Sequence, residues 1–262
     1  MIRIFNKFKK KPKRHVSTRN YKNKLLSKDS PFAMTESFKK LRTNLLFAAA
    51  GAECPVIAIT STFQETGKSI IIANLAISFA QLEKKVLVID CDLRKPAQHK
   101  IFGIENNSGL SNLLAGMSNQ EISIKKLKEY DNLSLITSGN IPPNPAELLA
   151  SESMKKLLNV LRQKYDIILI DLPPISIVTD AAVVANIVDG YLFAVRLEHD
   201  DTRAVQEAIR ALEQTDGKIL GFVINDVNPK AGGRYYKNYN SKYYRNKYKY
   251  NDIYEHSEND DD

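Results

Sequence analysis

Val56-Ile57-Ala58-Ile59-Thr60-Ser61, running directly into Thr62-Phe63-Gln64-Glu65-Thr66-Gly67-Lys68-Ser69, is the stretch that decides how this chain is read. Val56–Thr60 is an apolar run short enough for a buried strand, and Lys68–Leu82 continues as an apolar helix. A strand, a polar loop closing on Gly-Lys-Ser and a helix form the setting in which that tripeptide holds phosphate. Gly67 lets the backbone approach the phosphates, and the N–H groups at the helix start point toward them. Lys68 reaches the β- and γ-phosphates, and the Ser69 hydroxyl binds Mg²⁺. The nucleotide-binding set expected here is Glu65, Thr66, Gly67, Lys68, Ser69 and Ile70. The first glycine of the usual phosphate loop is replaced by Thr62.

Outward from this unit, strands and helices alternate. Further strands are predicted at Val86–Asp90, Leu133–Thr137, Ile167–Asp171, Tyr191–Val195 and Ile219–Asn225. Helices are predicted at Glu36–Ala50, Pro145–Lys164, Asp180–Val188 and Thr202–Gln214. Continuous apolar strands separated by helices imply an α/β domain of the P-loop NTPase type, a mostly parallel sheet with helices on both faces. Ligands in such sheets bind beyond the carboxyl ends of the strands. Val86–Asp90 leads into Cys91-Asp92-Leu93-Arg94, and Ile167–Ile170 leads into Asp171-Leu172-Pro173-Pro174. Any one such aspartate could simply cap the next turn; together with the loop they form a set. Ser69, Asp90, Asp92 and Asp171 are the expected Mg²⁺ residues, and Lys68, Asp90, Asp92 and Asp171 the expected catalytic ones. Which of Asp90 and Asp92 takes a proton and which holds metal stays open.

The ends of the chain differ from its middle. Residues 1–28 carry eleven Lys/Arg and no acid, and the remaining 27 basic and 30 acidic residues leave a net of −3. The charge of +8 therefore belongs to a flexible basic arm, residues 1–30, and not to the domain at 31–228. Near an anionic membrane such an arm gains about 1 kcal/mol per Lys or Arg at the surface. From 229 to 262 hydrophobic periodicity disappears into a disordered polar tail with eight tyrosines: Tyr235, Tyr236, Tyr239, Tyr243, Tyr244, Tyr248, Tyr250 and Tyr254. A phenol has a pKa of about 10, so a tyrosine acceptor benefits from a placed base at neutral pH. Cys54 and Cys91 lack metal-ligand spacing, and a disulfide scaffold is not expected. No run approaches the roughly 18 apolar residues of a membrane span.

At these residues the chain resembles the bacterial tyrosine kinases of capsule and exopolysaccharide synthesis, the short type without transmembrane helices. The resemblance covers residues 31 to 254. It rests on the loop ending Gly67-Lys68-Ser69, on Val88-Ile89-Asp90-Cys91-Asp92-Leu93-Arg94-Lys95-Pro96 and on Ile141-Pro142-Pro143-Asn144-Pro145-Ala146-Glu147-Leu148-Leu149. Ile170-Asp171-Leu172-Pro173-Pro174 with Thr179-Asp180-Ala181, and the tyrosine cluster, complete it. It implies a Mg²⁺-ATP-dependent protein-tyrosine kinase that phosphorylates its own tail, with Lys68 and Ser69 on ATP and Mg²⁺ and Asp171 as the third metal-site aspartate. It also implies a membrane-anchored activator whose cytoplasmic tail stimulates ATP binding, a cognate tyrosine phosphatase and recruitment from the cytoplasm to the inner face of the membrane. A homo-oligomeric ring is implied as well, its Glu-x-x-Arg-x-x-Arg motif falling on Glu36, Lys39 and Arg42. Lys39 replaces an arginine and loses the planar bidentate fork. Gln64-Glu65 replaces the family's Pro-Gly.

Other classes remain in view. A partitioning or division-site ATPase of the same broad fold carries a second lysine five positions before Lys68, where this chain has Phe63. A regulator with the same fold would bind ATP poorly through Gln64-Glu65. The basic arm and tail are compatible with weak electrostatic attraction to nucleic acid, without specific recognition.

Overall fold

The computed structural model describes residues 19–117, 123–196 and 200–225. Its centre is a seven-stranded sheet in the order β3-β4-β2-β5-β1-β6-β7. The strands are β1 Val56–Ser61, β2 Val86–Asp90, β3 Ile124–Lys126, β4 Leu133–Ile136, β5 Ile167–Asp171, β6 Gly190–Arg196 and β7 Ile219–Asn225. All neighbours pair in parallel except β3 with β4, an antiparallel edge. The expected mostly parallel sheet is present.

Both faces of the sheet are covered, which is why its central strands are apolar without alternation. Along β1, Val56 and Ala58 enter one core, while Ile57 and Ile59 enter the other. The second core is roofed by α2 (Phe32–Ala48), α3 (Lys68–Ala80) and α4 (Gln98–Phe102), through residues such as Leu45, Ile72, Leu75 and Ile101. The first is roofed by α5 (Leu110–Leu114), α6 (Pro145–Leu149), α7 (Glu152–Arg162), α8 (Asp180–Val183) and α9 (Thr202–Glu213). α3 is buried along most of its length, and its sequence is accordingly apolar on nearly every side.

Several boundaries depart from the sequence reading. The helix expected at Pro145–Lys164 is two helices, because Ser151 adopts an extended conformation and its hydroxyl caps the Met154 N–H. The helix expected at Asp180–Val188 closes after Val183. The arm expected over residues 1–30 is ordered in its last part: α1 (Arg19–Lys22) precedes Leu25 and Leu26, both buried in the second core. There Asn74 of α3 accepts from the Leu26 N–H and donates to the Lys24 carbonyl, so residue 31 does not mark the start of folded chain. Most of the arm and the tail from 229, with its eight tyrosines, lie outside the described residues. Among the described residues no helix is long and apolar enough to cross a membrane.

Candidate active site

β1, β2 and β5 lie side by side and deliver their polar ends to one edge. Thr60 donates through its hydroxyl to the Pro173 carbonyl beyond β5 (2.9 Å), fixing the base of the loop. The Ser61 and Thr66 hydroxyls both donate to the Phe63 carbonyl at 2.7 Å, folding the loop on itself. Gly67 then precedes α3 in the left-handed region (φ 93°), where glycine is favoured, and offers no side chain to cap the first N–H groups. A Cβ there would lie 2.1 Å from Asn225 Nδ2, which donates to the Thr66 carbonyl at 2.8 Å. Arg196, at the end of β6, donates to the Glu65 carbonyl at 3.3 Å. The last residues of β6 and β7 therefore clasp the loop, a role that no local pattern marks.

The unusual Gln64-Glu65 pair has a local account. Gln64 Oε1 accepts from Lys95 Nζ at 2.7 Å, tying the loop to the segment after β2. Glu65 is exposed, so its carboxylate is not buried against the phosphate cradle. Its φ of 60° is a left-handed conformation that costs a non-glycine residue about 1–2 kcal/mol.

Asp90 and Asp171 sit opposite one another in the β2–β5 register, both fully buried. Asp90 Oδ2 accepts from the backbone N–H groups of Ala97 (3.0 Å) and Gln98 (2.9 Å). Asp171 Oδ2 accepts from Gln98 Nε2 at 2.7 Å. Oδ1 of each carboxylate is buried without a hydrogen-bond partner. Burial pushes the Asp90 carboxyl well above the usual range; the charge of Asp171 adds to this, and the two N–H bonds oppose it. Burial also raises Asp171, against the pull of the Lys68 ammonium, the Ser69 hydroxyl and the Gln98 amide. Lys68 itself is only 6% exposed.

Asp92 stands nearer the rim, partly exposed, with Oδ1 accepting the Lys95 N–H at 2.8 Å. Arg94 forms a two-pronged pair with buried Asp180, 2.9 Å on each arm, fastening the segment after β2 to the start of α8. Cys91 is free and buried, its thiol raised by burial first and by Asp90 next. Among the described residues, no three His, Cys, Asp or Glu side chains form a ready-made metal cage. That suits Mg²⁺, which takes one or two carboxylates and keeps waters and phosphate oxygens. Two buried carboxylate oxygens lacking donors, a buried lysine and a hydroxyl at the helix start fit a cation–phosphate pair.

The structure thus gathers Gly67, Lys68, Ser69, Asp90 and Asp171, with Asp92 at their margin and Glu65 turned to solvent. Glu36, Lys39 and Arg42 lie elsewhere, on α2. Lys39 pairs with Glu36 at 2.8 Å within the helix, and Arg42 Nη1 donates to the carbonyl and hydroxyl of Ser78 on α3. Gln98, Asn225 and Arg196 are the residues that sequence reasoning missed.

Comparison with known proteins follows the same lines. The family described as AAA domain matches residues 54–219. The putative tyrosine-protein kinase CapB of Staphylococcus aureus is 41% identical over 206 residues, 79% of this chain and 90% of that protein. The crystal structure of the chimerical protein CapA2B2 superimposes with a TM-score of 0.71 at 39% identity, covering 76% of this chain and 86% of the other. The septum site-determining protein MinD of Pyrococcus horikoshii, complexed with Mg-ADP, shares the fold. Its TM-score is 0.56 at 24% identity, over 65% of this chain and 70% of that one.

Proposed function

The chain belongs to the bacterial tyrosine-protein kinases, and from that premise we propose that it uses Mg²⁺-ATP to phosphorylate its own C-terminal tyrosines in the control of capsular or extracellular polysaccharide synthesis. The observation that carries this reading is the pair of buried, donor-poor carboxylates, Asp90 and Asp171, set beside Lys68 at the end of three parallel strands.

Each residue has a share of the work. Backbone N–H groups around Gly67 and the Lys68 ammonium meet the β- and γ-phosphates, whose charge a low-dielectric site weighs heavily. Ser69 and Asp171, with Asp90 or Asp92, hold Mg²⁺, which when bound neutralises charge on the phosphates. A phenol oxygen from the tail bonds to the γ-phosphorus as the bond to the leaving ADP oxygen breaks. The phenolic proton passes to whichever of Asp90 and Asp92 is ionised and free of the cation. Partly exposed Asp92 is the more accessible of the two to an incoming tail.

In the same reading a membrane-anchored activator stimulates nucleotide binding at the inner face of the membrane, and a tyrosine phosphatase resets the tail. Subunits assemble through Glu36, Lys39 and Arg42, one subunit's tail serving another's site. The intrachain contacts of Lys39 and Arg42 mean that assembly must add to those bonds or exchange them. Each phosphate adds about −1.5 to −2 charge at pH 7, so several reverse the sign of the basic segment 234–250, with its six Lys/Arg, and release the tail.

The test is direct. The full chain is incubated with Mg²⁺-ATP, with and without a candidate activator tail, and phosphotyrosine is mapped by mass spectrometry beside a Lys68→Met control. Lys68-dependent phosphate on Tyr235–Tyr254 is the expected result. Its absence under every condition would leave a nucleotide-regulated switch instead.

A further inference from the structure

Gln98 bonds to three residues of the site, Asp90, Asp171 and Ser69, and nothing in its sequence context marks it. It is fully buried. Its backbone N–H donates to Asp90 Oδ2, and its side-chain Nε2 donates both to Asp171 Oδ2 (2.7 Å) and to the Ser69 carbonyl (3.0 Å). The amide orientation is dictated by these neighbours: reversed, Oε1 would face a carboxylate oxygen and a carbonyl oxygen, two acceptors with no proton between them.

In the orientation that results, Oε1 of Gln98 is buried without a partner, as are Oδ1 of Asp90 and Oδ1 of Asp171. With both carboxylates ionised, the state that a nearby cation favours, all three orphaned atoms are acceptors. What this cluster lacks is donors and positive charge together, and a hydrated divalent cation supplies both. Unsatisfied buried acceptors destabilise a fold when nothing fills them.

We propose that Gln98 is a positioning residue for the cation: its amide N–H₂ pins Asp171 Oδ2, leaving Oδ1 to face the metal, and its Oε1 accepts from a water in the metal's hydration shell. The inference rests on the kinase reading above for the presence of a nucleotide and Mg²⁺. Partners of metal ligands of this kind typically govern metal affinity by about 10–100-fold.

The experiment uses the full-length protein and a fluorescent ADP analogue, with binding followed in EDTA and across a Mg²⁺ titration. Gln98→Leu keeps the volume and removes every polar atom. The expected result is unchanged affinity in EDTA, a rise of about tenfold in the Mg²⁺ concentration for half-maximal binding, and a matching rise in the Mg²⁺ concentration that autophosphorylation requires. Gln98→Asn withdraws the amide by one methylene and provides the same split with a smaller shift, about threefold, should the leucine variant fail to fold. A purely structural role predicts equal losses with and without Mg²⁺, or an unaltered Mg²⁺ requirement, and either result overturns the proposal. If the unmodified protein binds no nucleotide, the kinase reading fails instead, so the two failures are distinguishable.

Discussion

The two edges of the sheet use the same side chain to opposite ends. At the amino edge, Asp189 accepts from the Val56 N–H (2.6 Å) and from Arg162 Nη1 (2.9 Å), and Arg162 also donates to the Cys54 carbonyl. Nearby, Asp166 accepts from the Lys85 N–H at 2.7 Å. These aspartates join the starts of neighbouring strands. At the carboxyl edge, Asp90 and Asp171 are more deeply buried, and each keeps an oxygen with no partner. One edge uses its carboxylates to join strands; the other leaves an oxygen of each carboxylate unpaired. Unpaired buried carboxylate oxygens beside a lysine, at the ends of parallel strands, are what the kinase reading requires of a cation site.

That contrast can be broken at its strongest point by Lys68→Met. Autophosphorylation should fall by about 10²–10³-fold, the scale for losing one charge-stabilising group, while the thermal midpoint moves little. Asp189→Ala should do the reverse. It leaves a backbone donor and Arg162 short of an acceptor and costs about 1–3 kcal/mol in urea unfolding, while the folded fraction keeps its nucleotide affinity. Equal stability losses at both edges would erase the distinction.

A subtler separation comes from pH. Burial holds the Asp90 carboxyl above its unfolded value, so below about pH 4 both folded and unfolded forms are protonated and it contributes nothing. As pH rises beyond that, the unfolded chain gives up a proton that the folded protein retains, and the nucleotide-free protein loses stability. Asp90→Asn removes this penalty. The variant should be more stable than the parent at pH 7 without ligand, the gain should shrink as pH falls toward 4, and Mg²⁺-ATP should add less stability to it. Denaturant melts at several pH values report this; a loss of stability at neutral pH would contradict it.

The smallest effect is expected at Glu65. Replacement by glycine relieves the left-handed strain but frees the unfolded chain, a net gain of about 0.5–1 kcal/mol. Because Glu65 is exposed, nucleotide affinity should change by less than about threefold by calorimetry. A larger tightening would mean that its carboxylate does repel the phosphates.

How much of this was legible in the sequence follows from the range over which each feature acts. Val56–Ser69, Val86–Asp90 and Ile167–Asp171 announce themselves because a buried parallel strand must be apolar throughout and its polar successor must lie at the edge. Gln98 is invisible by the same logic: it opens a five-residue helix and its carboxylate partner is 73 residues away. Asn225 reaches Thr66 across 159 residues. Arg94 and Asp180 both stand in recognisable motifs, yet only the fold reveals that they hold one another. The short elements α4, α5 and β3 span too few residues for periodicity to show. Leu25 and Leu26, a single apolar pair beside lysines, gave no sign that the domain's edge reaches them.

Phosphoryl transfer in this chain requires the carboxyl edge to capture a triphosphate and a divalent cation together. Isothermal titration of Mg²⁺-ATP into the full-length protein, in the presence of the activator tail where one is required, measures that event without needing turnover. Saturable binding that weakens in EDTA, vanishes in Lys68→Met and survives in Asp189→Ala is the predicted outcome. Absence of binding in the unmodified protein, or binding indifferent to Lys68, would contradict it.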